Sequence, residues 1–582
     1  MFGGEQRVRR HTLRRVVRLR PRLTAVLAAV ALIGGGVLIG GASLSAGSPL
    51  ATVSGRSDCA RHFARVIRDG FPEPPMRFSR GGRLSTTLRA SVGPVKIDGH
   101  RYVTMNYDGS YPGPTLVFCP GDNVVVHLVN DLPLDTNLHV HGLHVSPTAN
   151  HDNVYLDIHP GQRFTYQYSV PHDQDPGSFW YHPHRHMLVE KEIFAGLAGA
   201  IVVQGRLDDE LAGIPQRIMV IQSTELCDKS GHSVPFGNSG RQACSVPGHT
   251  VPVDSSIEQY TPLLVNGALH PVVHVRPGQI QRWRIFNAND NRIVRLTLAG
   301  QTVQVLAEDG NTLRWMRPTR VLLIGPGSRR EILVRGARPG RYRLRALPFA
   351  QFPGGDKKGS GGPTPNQTVL TVVSTGRRIF DRLPKGPLSA PTDLRRMHVD
   401  RFRQIIFSEK ESPPNSGNFL FLLNHHTFDP NYVPVTMKLG SVEQWTLVNT
   451  NTEWHTFHIH QNPFQVVSIN GHRLPYVDYQ DNVAMPPKSR TVIRMHPIDF
   501  TGKFVFHCHV TFHEDHGMMS AVQVVARPTA SEQAASTGAV HGIEIQSSAY
   551  AQRALPPLPR AILLLCHLLG IAPRSVASST PA

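Results

Sequence analysis

Hydrophobic and polar residues alternate in short runs along most of the chain, and the runs recur. Residues 121–130 read GDNVVVHLVN, residues 278–287 GQIQRWRIFN and residues 440–449 GSVEQWTLVN. A period of two places successive side chains on opposite faces, so each segment predicts a β-strand with one face turned to a core. The register continues beyond the shared Asn. The next matching positions are His139, Leu296 and His458, then His141, Leu298 and His460. A second block repeats from Gly177 to His182, Gly340 to Arg345 and Gly502 to His507. Three copies of one β-rich unit account for this pattern, and short strands at regular spacing predict Greek-key sandwiches or barrels. The expected domains are 80–205, 206–375 and 395–527, with histidines at matching places in the first and third only.

Two stretches break the alternation. The first 22 residues hold eight Arg and one Glu, and an uncharged run from Leu23 to Ala46 follows. A secretory signal has an apolar core of about 7–15 residues, whereas a bilayer span takes roughly 20. Residues 1–46 therefore read as a long signal peptide or a retained membrane anchor, and either places the remaining chain outside the cytoplasm because the arginines stay inside. The product is expected in the periplasm, in the cell envelope or secreted. At the other end, residues 528–582 read as a low-complexity tail rich in Ala, Ser and Pro. The Gly/Lys/Pro stretch 353–366 reads as a surface loop.

Composition adds two facts to this picture. At 582 residues the chain exceeds one ordinary core. The formal charge is +19, which falls to +12 without residues 1–22. The remaining excess is spread along the chain without a recognition motif, so it reads as an Arg-rich surface and not as a nucleic-acid interface. Among the six cysteines, Cys227 with Cys244 and Cys59 with Cys119 are the candidate disulfides.

Thirty-one histidines invite a metal reading, and their spacing supports it. The motifs are His139-Val140-His141, His182-Pro183-His184, His455-Thr456-Phe457-His458-Ile459-His460, and His507-Cys508-His509 followed by His513 and Met518. On a strand each His-x-His pair turns two imidazoles to one face. Four pairs supply eight nitrogen donors, two pairs from the first repeat and two from the third. If those repeats face each other, the donors enclose one site for a cluster of metal ions. Imidazole alone does not select copper. Parity does: Cys508 points away from its flanking histidines, and His455, at an odd offset from His458, points away from that pair. His513 and Met518 follow Cys508 closely enough to fold back beside it. Two imidazoles, a thiolate and a thioether are the ligands of a blue-copper electron-transfer site. Pro183 and Ala346 stand where the third repeat has Cys508, so only the third repeat can build that site.

These motifs, their order and the threefold repeat resemble the multicopper oxidase family, which includes laccases, bilirubin oxidases and metal-oxidising members. The resemblance covers about residues 85–527. It implies an all-β chain of three cupredoxin-like domains and four copper ions: one type 1, one type 2 and a type 3 pair. By motif position, His455, Cys508 and His513 bind type 1 copper with Met518 axial. His139 and His458 bind type 2 copper. His141, His182, His184, His460, His507 and His509 bind the type 3 pair. Glu514 and Asp152 resemble the family's acidic residues near the cluster and are read as proton relays. One departure stands out: the family closes the second motif with Gly where this chain has Met187.

The expected activity is laccase-like. A reductant loses one electron at a time at the type 1 site, Cys508 links that site to the cluster through bonds, and four electrons reduce dioxygen to water. A phenol or another small organic donor is the first expectation, and Cu(I), Fe(II) or Mn(II) the alternative. Against a cuprous donor there is no Met-rich insertion, and against a ferrous one no acidic cluster accompanies His455 or His513. The axial Met predicts a lower potential than an apolar residue would give. A copper-storage protein of the envelope would bind copper without taking up oxygen. A copper-free relative would have lost ligands, whereas all ten histidines are present. Zinc leaves Cys508 and Met518 unexplained. His144, His151, His425, His426 and His516 read as surface or supporting residues.

Overall fold

The computed structural model describes residues 69–228, 261–353, 363–414 and 416–526, together with residue 67 and a few positions between 230 and 244. The leader, the run 23–46 and the tail 528–582 lie outside the described residues, as does most of the loop 353–366. Among the described residues no helix is long and apolar enough to cross a membrane.

Six sheets form three face-to-face pairs. In the first pair, one sheet runs Met76–Phe78, Gly113–Phe118, Gly199–Val203, Gly177–His182, His139–His141, and the other contains Arg83–Ile97, His100–Tyr107, Asn123–Asp131 and Arg163–Ser169. Some sheet neighbours are consecutive, as Arg83–Ile97 with His100–Tyr107, and others are distant in sequence, as Gly113–Phe118 with Gly199–Val203, the mixture that Greek-key connections produce. The strand Arg163–Ser169 shows the expected alternation, with Tyr166 and Tyr168 buried and Arg163, Thr165 and Gln167 exposed. A short hairpin, Leu226–Cys227 with Arg241–Ala243, adds to the second sheet of this pair by pairing with His100–Tyr107. Three separate apolar clusters fill the three pairs, centred on Leu128 and Tyr181, on Trp283 and Leu296, and on Trp445 and Phe457.

The repeat is visible in the strand order. In every copy a parallel pair is followed by two antiparallel neighbours: Val272–Val275, Gln367–Ser374, Gly340–Ala346, Val294–Leu298 in the second, and Val435–Lys438, Met519–Val525, Gly502–Cys508, His455–Ile459 in the third. His139 pairs with His182 and His458 with His507. The second copy slips by one: Leu296 pairs with Ala346, beside an irregularity at Leu344/Arg345. With Leu296 and Leu298 packed in its core, this copy offers no imidazole at those places.

The Arg-rich surface expected from the charge is only part of the outcome. Arg217, Arg282, Arg284 and Arg329 are almost wholly buried. On the strand Ile280–Asn287, Trp283 and Ile285 face the core while Arg282 and Arg284 face the first sandwich. There they meet Asp208 and Glu331 in a buried four-charge group, with Arg282 Nη1 2.7 Å from Asp208 and Arg284 Nη1 2.6 Å from Glu331. Burial of that many charges is tolerable only because each is paired.

Candidate metal centres

The strand Gly502–Cys508 runs between Met519–Val525 and His455–Ile459 and ends at the cysteine. His507 pairs with His458 and Cys508 with Phe457. Successive side chains on this strand leave by opposite faces, and each face leads to a separate group of donors.

On one face lies a mononuclear group. His455 Nδ1 is 3.3 Å from Cys508 Sγ and 3.1 Å from His513 Nδ1, and Cys508 Sγ is 3.7 Å from His513 Nδ1. His513 is carried by the short helix Thr511–Asp515 that turns the chain back after the strand. The return is closed by two main-chain hydrogen bonds, Met518 N to His513 O and Cys508 N to Met518 O. Met518 is therefore pinned beside the cysteine, and both are fully buried in one apolar cluster. Burial pushes the Cys508 thiol well up and His455 down to about 3. A thiol in this setting ionises only when a cation compensates it.

On the other face eight histidines from the first and third sandwiches converge. His139 stacks on His460 with centroids 3.9 Å apart, and His141 on His458 at 3.8 Å. His184 Nε2 lies 3.2 Å from His507 Nε2, which lies 3.3 Å from His460 Nε2. His141 Nδ1 lies 3.4 Å from His182 Nε2 and 3.3 Å from His509 Nε2. His139 and His458 complete the set, each with Nε2 buried and without a hydrogen-bond partner among the described residues. Burial depresses His184 and His507 to about 3 and holds His141, His182, His458, His460 and His509 well below the usual imidazole range. Neutral imidazoles with lone pairs aimed at a shared space are what metal ions require. The donor set fits two sites, one with a thiolate and one of imidazoles alone.

Three family models described as multicopper oxidase match residues 90–208, 230–370 and 391–528. The chain belongs to the multicopper oxidase family. It is 26% identical over 470 residues to multicopper oxidase mco of Staphylococcus haemolyticus, covering 78% of this chain and 92% of the relative. It is 23% identical over 488 residues to a laccase of Bacillus subtilis, covering 72% and 89%. A Campylobacter jejuni multicopper oxidase described as a metallo-oxidase matches its fold with a TM-score of 0.66 at 24% identity, covering 80% of this chain and 96% of that one. Membership makes this chain a copper-dependent oxidoreductase that uses dioxygen.

Around the donors, this multicopper oxidase places several carboxylates. Asp152 is buried with both oxygens 3.0 Å from His139 Nδ1, and it also accepts from Val140 N. Glu514 lies 2.9 Å from His507 Nδ1 and 3.4 Å from His184 Nε2, and burial pushes its carboxyl up to about 7. Both residues singled out in the sequence thus sit against the cluster.

Two carboxylates were not visible in the sequence. Glu453 Oε1 lies 3.6 Å from His455 Nε2 and 3.5 Å from His513 Nε2, on the side of both rings away from Cys508. The expectation is that no acidic cluster accompanies those histidines; a single carboxylate, Glu453, spans both. Its position two residues before His455, outside the strand, carried no periodic signal. Asp481 reaches His141 Nε2 with Oδ1 at 3.3 Å and His458 Nδ1 with its main-chain carbonyl at 2.8 Å. Burial pushes it up to about 7, with the Arg329 guanidinium pulling the other way.

The departure at Met187 has a structural cost. Its φ is +69°, a left-handed conformation that favours glycine, and its side chain is 71% exposed. The turn keeps the glycine-like backbone with a bulky residue in it. Among the other histidines, His144 ties the first sandwich to the third, with Nε2 2.6 Å from Asp499 and Nδ1 on Gln461 O. Cys227 and Cys244 form a disulfide. Cys59 lies outside the described residues.

Proposed function

We propose that this multicopper oxidase holds four copper ions and couples one-electron oxidation of a small phenolic donor to the four-electron reduction of dioxygen to two waters. The observation that carries this reading is the strand end at His507-Cys508-His509. Its sulfur belongs to the mononuclear group and its two imidazoles to the cluster, so the two centres share three consecutive residues.

In this reading His455, Cys508 and His513 would hold the type 1 ion, with the Met518 thioether as a further donor beside them. His139 and His458 hold type 2. His141, His182 and His509 hold one type 3 ion, and His184, His460 and His507 the other. When bound, the copper ions supply the one-electron steps and the site at which dioxygen is reduced. Asp152 holds Nδ1–H of His139 so that Nε2 faces inward, and Asp152 and Glu514 stand where protons must reach the cluster. On the side of His455 and His513 away from Cys508, Glu453 is placed to take the proton that a phenol gives up with its electron, and the half-buried Trp454 beside it offers an apolar surface. The disulfide and the Arg-rich leader support export, with residues 23–46 as signal or anchor.

Glu453 also favours a second reading, oxidation of a metal cation such as Fe(II), Mn(II) or Cu(I), since a carboxylate spanning both type 1 histidines attracts a positive donor. Oxygen consumption by the copper-loaded protein, measured with phenols, Fe(II), Mn(II) and Cu(I), separates these readings. Fastest uptake with phenols supports the first. Uptake confined to cations supports the second. No uptake with any donor, despite four bound coppers, would leave a copper-binding protein and end the oxidase reading.

A further inference from the structure

We propose that Asp481 is a positioning residue that sets the tautomers of two cluster histidines at once, and that the second sandwich holds it in place through Arg329. This rests on the cluster reading above and adds a role for the copy of the repeat that carries no ligand.

His141 and His458 lie stacked with their planes 13° apart, yet they turn different nitrogens inward. His141 Nδ1 faces His182 and His509, and its Nε2 faces Asp481 Oδ1 at 3.3 Å. His458 is reversed: Nδ1 lies 2.8 Å from the Asp481 carbonyl oxygen, and Nε2 faces the cluster. A neutral imidazole carries one N–H, and the acceptor outside the site decides which nitrogen bears it. Asp481 supplies two such acceptors, a carboxylate for His141 and a main-chain carbonyl for His458. Each ring is thereby left with its lone pair pointing inward.

A competitor is present. The Asn482 amide Nδ2 lies 2.9 Å from His141 Nε2 and 2.8 Å from Asp481 Oδ1. Donation from it to Nε2 would move the His141 proton to Nδ1 and block that nitrogen. Arg329 donates to both Asp481 oxygens, which keeps the group facing Nε2 an acceptor, and an imidazole N–H turned toward it is favoured over the amide contact.

Asp481 meets His141 and His458 within ligand range, but both of its oxygens are already engaged. Arg329 donates Nη1 to Oδ1 at 2.8 Å and Nη2 to Oδ2 at 2.6 Å. The guanidinium is itself fixed by Ser178 O of the first sandwich and by Gly327 O. Asp309, also of the second sandwich, accepts from Arg329 N and Asn482 N. Two glycines leave the space. A Cβ on Gly142 would strike Arg329 and Asp481, and one on Gly327 would come within 2.7 Å of the His509 ring.

The test has two arms. In copper-free wild-type protein labelled with [15N]histidine, and assigned with single His→Gln variants, NMR is expected to show His141 protonated at Nε2 and His458 at Nδ1. The opposite tautomer at either ring overturns the proposal. In copper-loaded Asp481→Asn and Arg329→Lys, a 10–100-fold loss of cluster copper affinity and an altered type 2 EPR signal are expected. The blue thiolate-to-copper band should persist and report a folded third sandwich. Full copper content with a wild-type EPR signal in both variants overturns the proposal. Loss of the blue band leaves the decision to the wild-type tautomers, which need neither variant. Wild-type protein that binds no copper at the cluster would overturn the cluster reading instead, and the tautomer measurement distinguishes the two failures.

Discussion

His184 Nε2 and His507 Nε2 stand 3.2 Å apart across 323 positions of sequence, one on the first sandwich and one on the third. Two buried imidazole nitrogens at that distance present lone pairs to each other unless a proton or a metal ion intervenes. Burial keeps an added proton away by depressing both rings to about 3, so only the single N–H of a neutral ring or a metal ion can lie between them. The folded apoprotein therefore withholds from these groups protons that the unfolded chain would accept.

That difference gives a pH dependence with a definite sign. Below the ordinary imidazole value of 6.5 the unfolded state binds protons that the folded His184, His455 and His507 refuse. Stability is thus highest above 6.5 and falls as pH drops from there toward about 3, by up to roughly 1.4 kcal/mol per pH unit for each such ring. Thermal unfolding of the copper-free protein should show Tm dropping from pH 7 to 5. Copper loading should raise Tm at pH 7 and move the fall to lower pH, since bound metal competes with protons. Glu514 and Asp481, pushed up to about 7 by burial, take up protons in the folded state over the same range and offset part of this fall, so it is an apoprotein Tm that rises from pH 7 to 5 that would contradict the buried neutral cluster.

Replacing Cys508 by Ser removes the only thiolate of the mononuclear group while leaving the fold of the strand unchanged. The variant should lose the intense blue absorption and nearly all oxidase turnover, yet keep the copper held by the eight cluster histidines. Absorption spectroscopy with copper analysis checks both halves. Blue colour that survives would place the type 1 ion elsewhere.

What was legible in the chain depended on strand periodicity. The division of His455 and Cys508 from the other histidines follows from odd and even offsets, and the structure separates them in the same way. Residues that reach the site from irregular segments had no such signal. Glu453 lies in a turn before its strand, and Asp481 meets His141 across 340 positions. Arg329 sits in the repeat that has no ligands, so nothing in its local sequence pointed toward the cluster. The buried Arg282 and Arg284 alternate with Trp283 as surface residues would, and only the first sandwich packed against them reveals their other role. The slipped register at Leu296 was likewise hidden, because a bulge changes pairing without changing spacing.

Met518 is held beside Cys508 by main-chain hydrogen bonds that do not depend on its side chain. Met518→Leu should therefore fold normally while withdrawing a weak axial thioether. The type 1 potential is expected to rise, because the thioether stabilises the oxidised ion more than an apolar group does. Redox titration of the blue band measures it directly. An unchanged potential would show that the sulfur does not approach the metal.

Glu453 spans the outer nitrogens of both mononuclear histidines, so its charge bears on any donor that docks there. Glu453→Gln should lower kcat/KM for Fe(II) by about tenfold, roughly 1.4 kcal/mol of lost attraction, and lower it less for an uncharged phenol ether lacking an acidic proton. Steady-state oxygen uptake with both donors gives the ratio. Equal losses for the two would assign Glu453 to the site's architecture and not to donor choice.

The group formed by Arg282, Arg284, Asp208 and Glu331 offers a test of stability away from the donors. Glu331 accepts from Arg282 Nε at 2.8 Å, Arg284 Nη1 at 2.6 Å and Ser178 Oγ at 2.6 Å. Glu331→Ala leaves two buried guanidinium groups facing Asp208 alone, and removing one partner of a buried ion pair costs about 3–5 kcal/mol. For a unit of this size that corresponds to a drop in Tm of roughly 10 °C. Because Ser178 belongs to the first sandwich and both arginines to the second, the loss should appear as weakened attachment between the two. Limited proteolysis should then cut the connection near residues 204–216 faster than in the wild type. A variant with unchanged Tm and cleavage rate would show that the four charges are dispensable to that attachment.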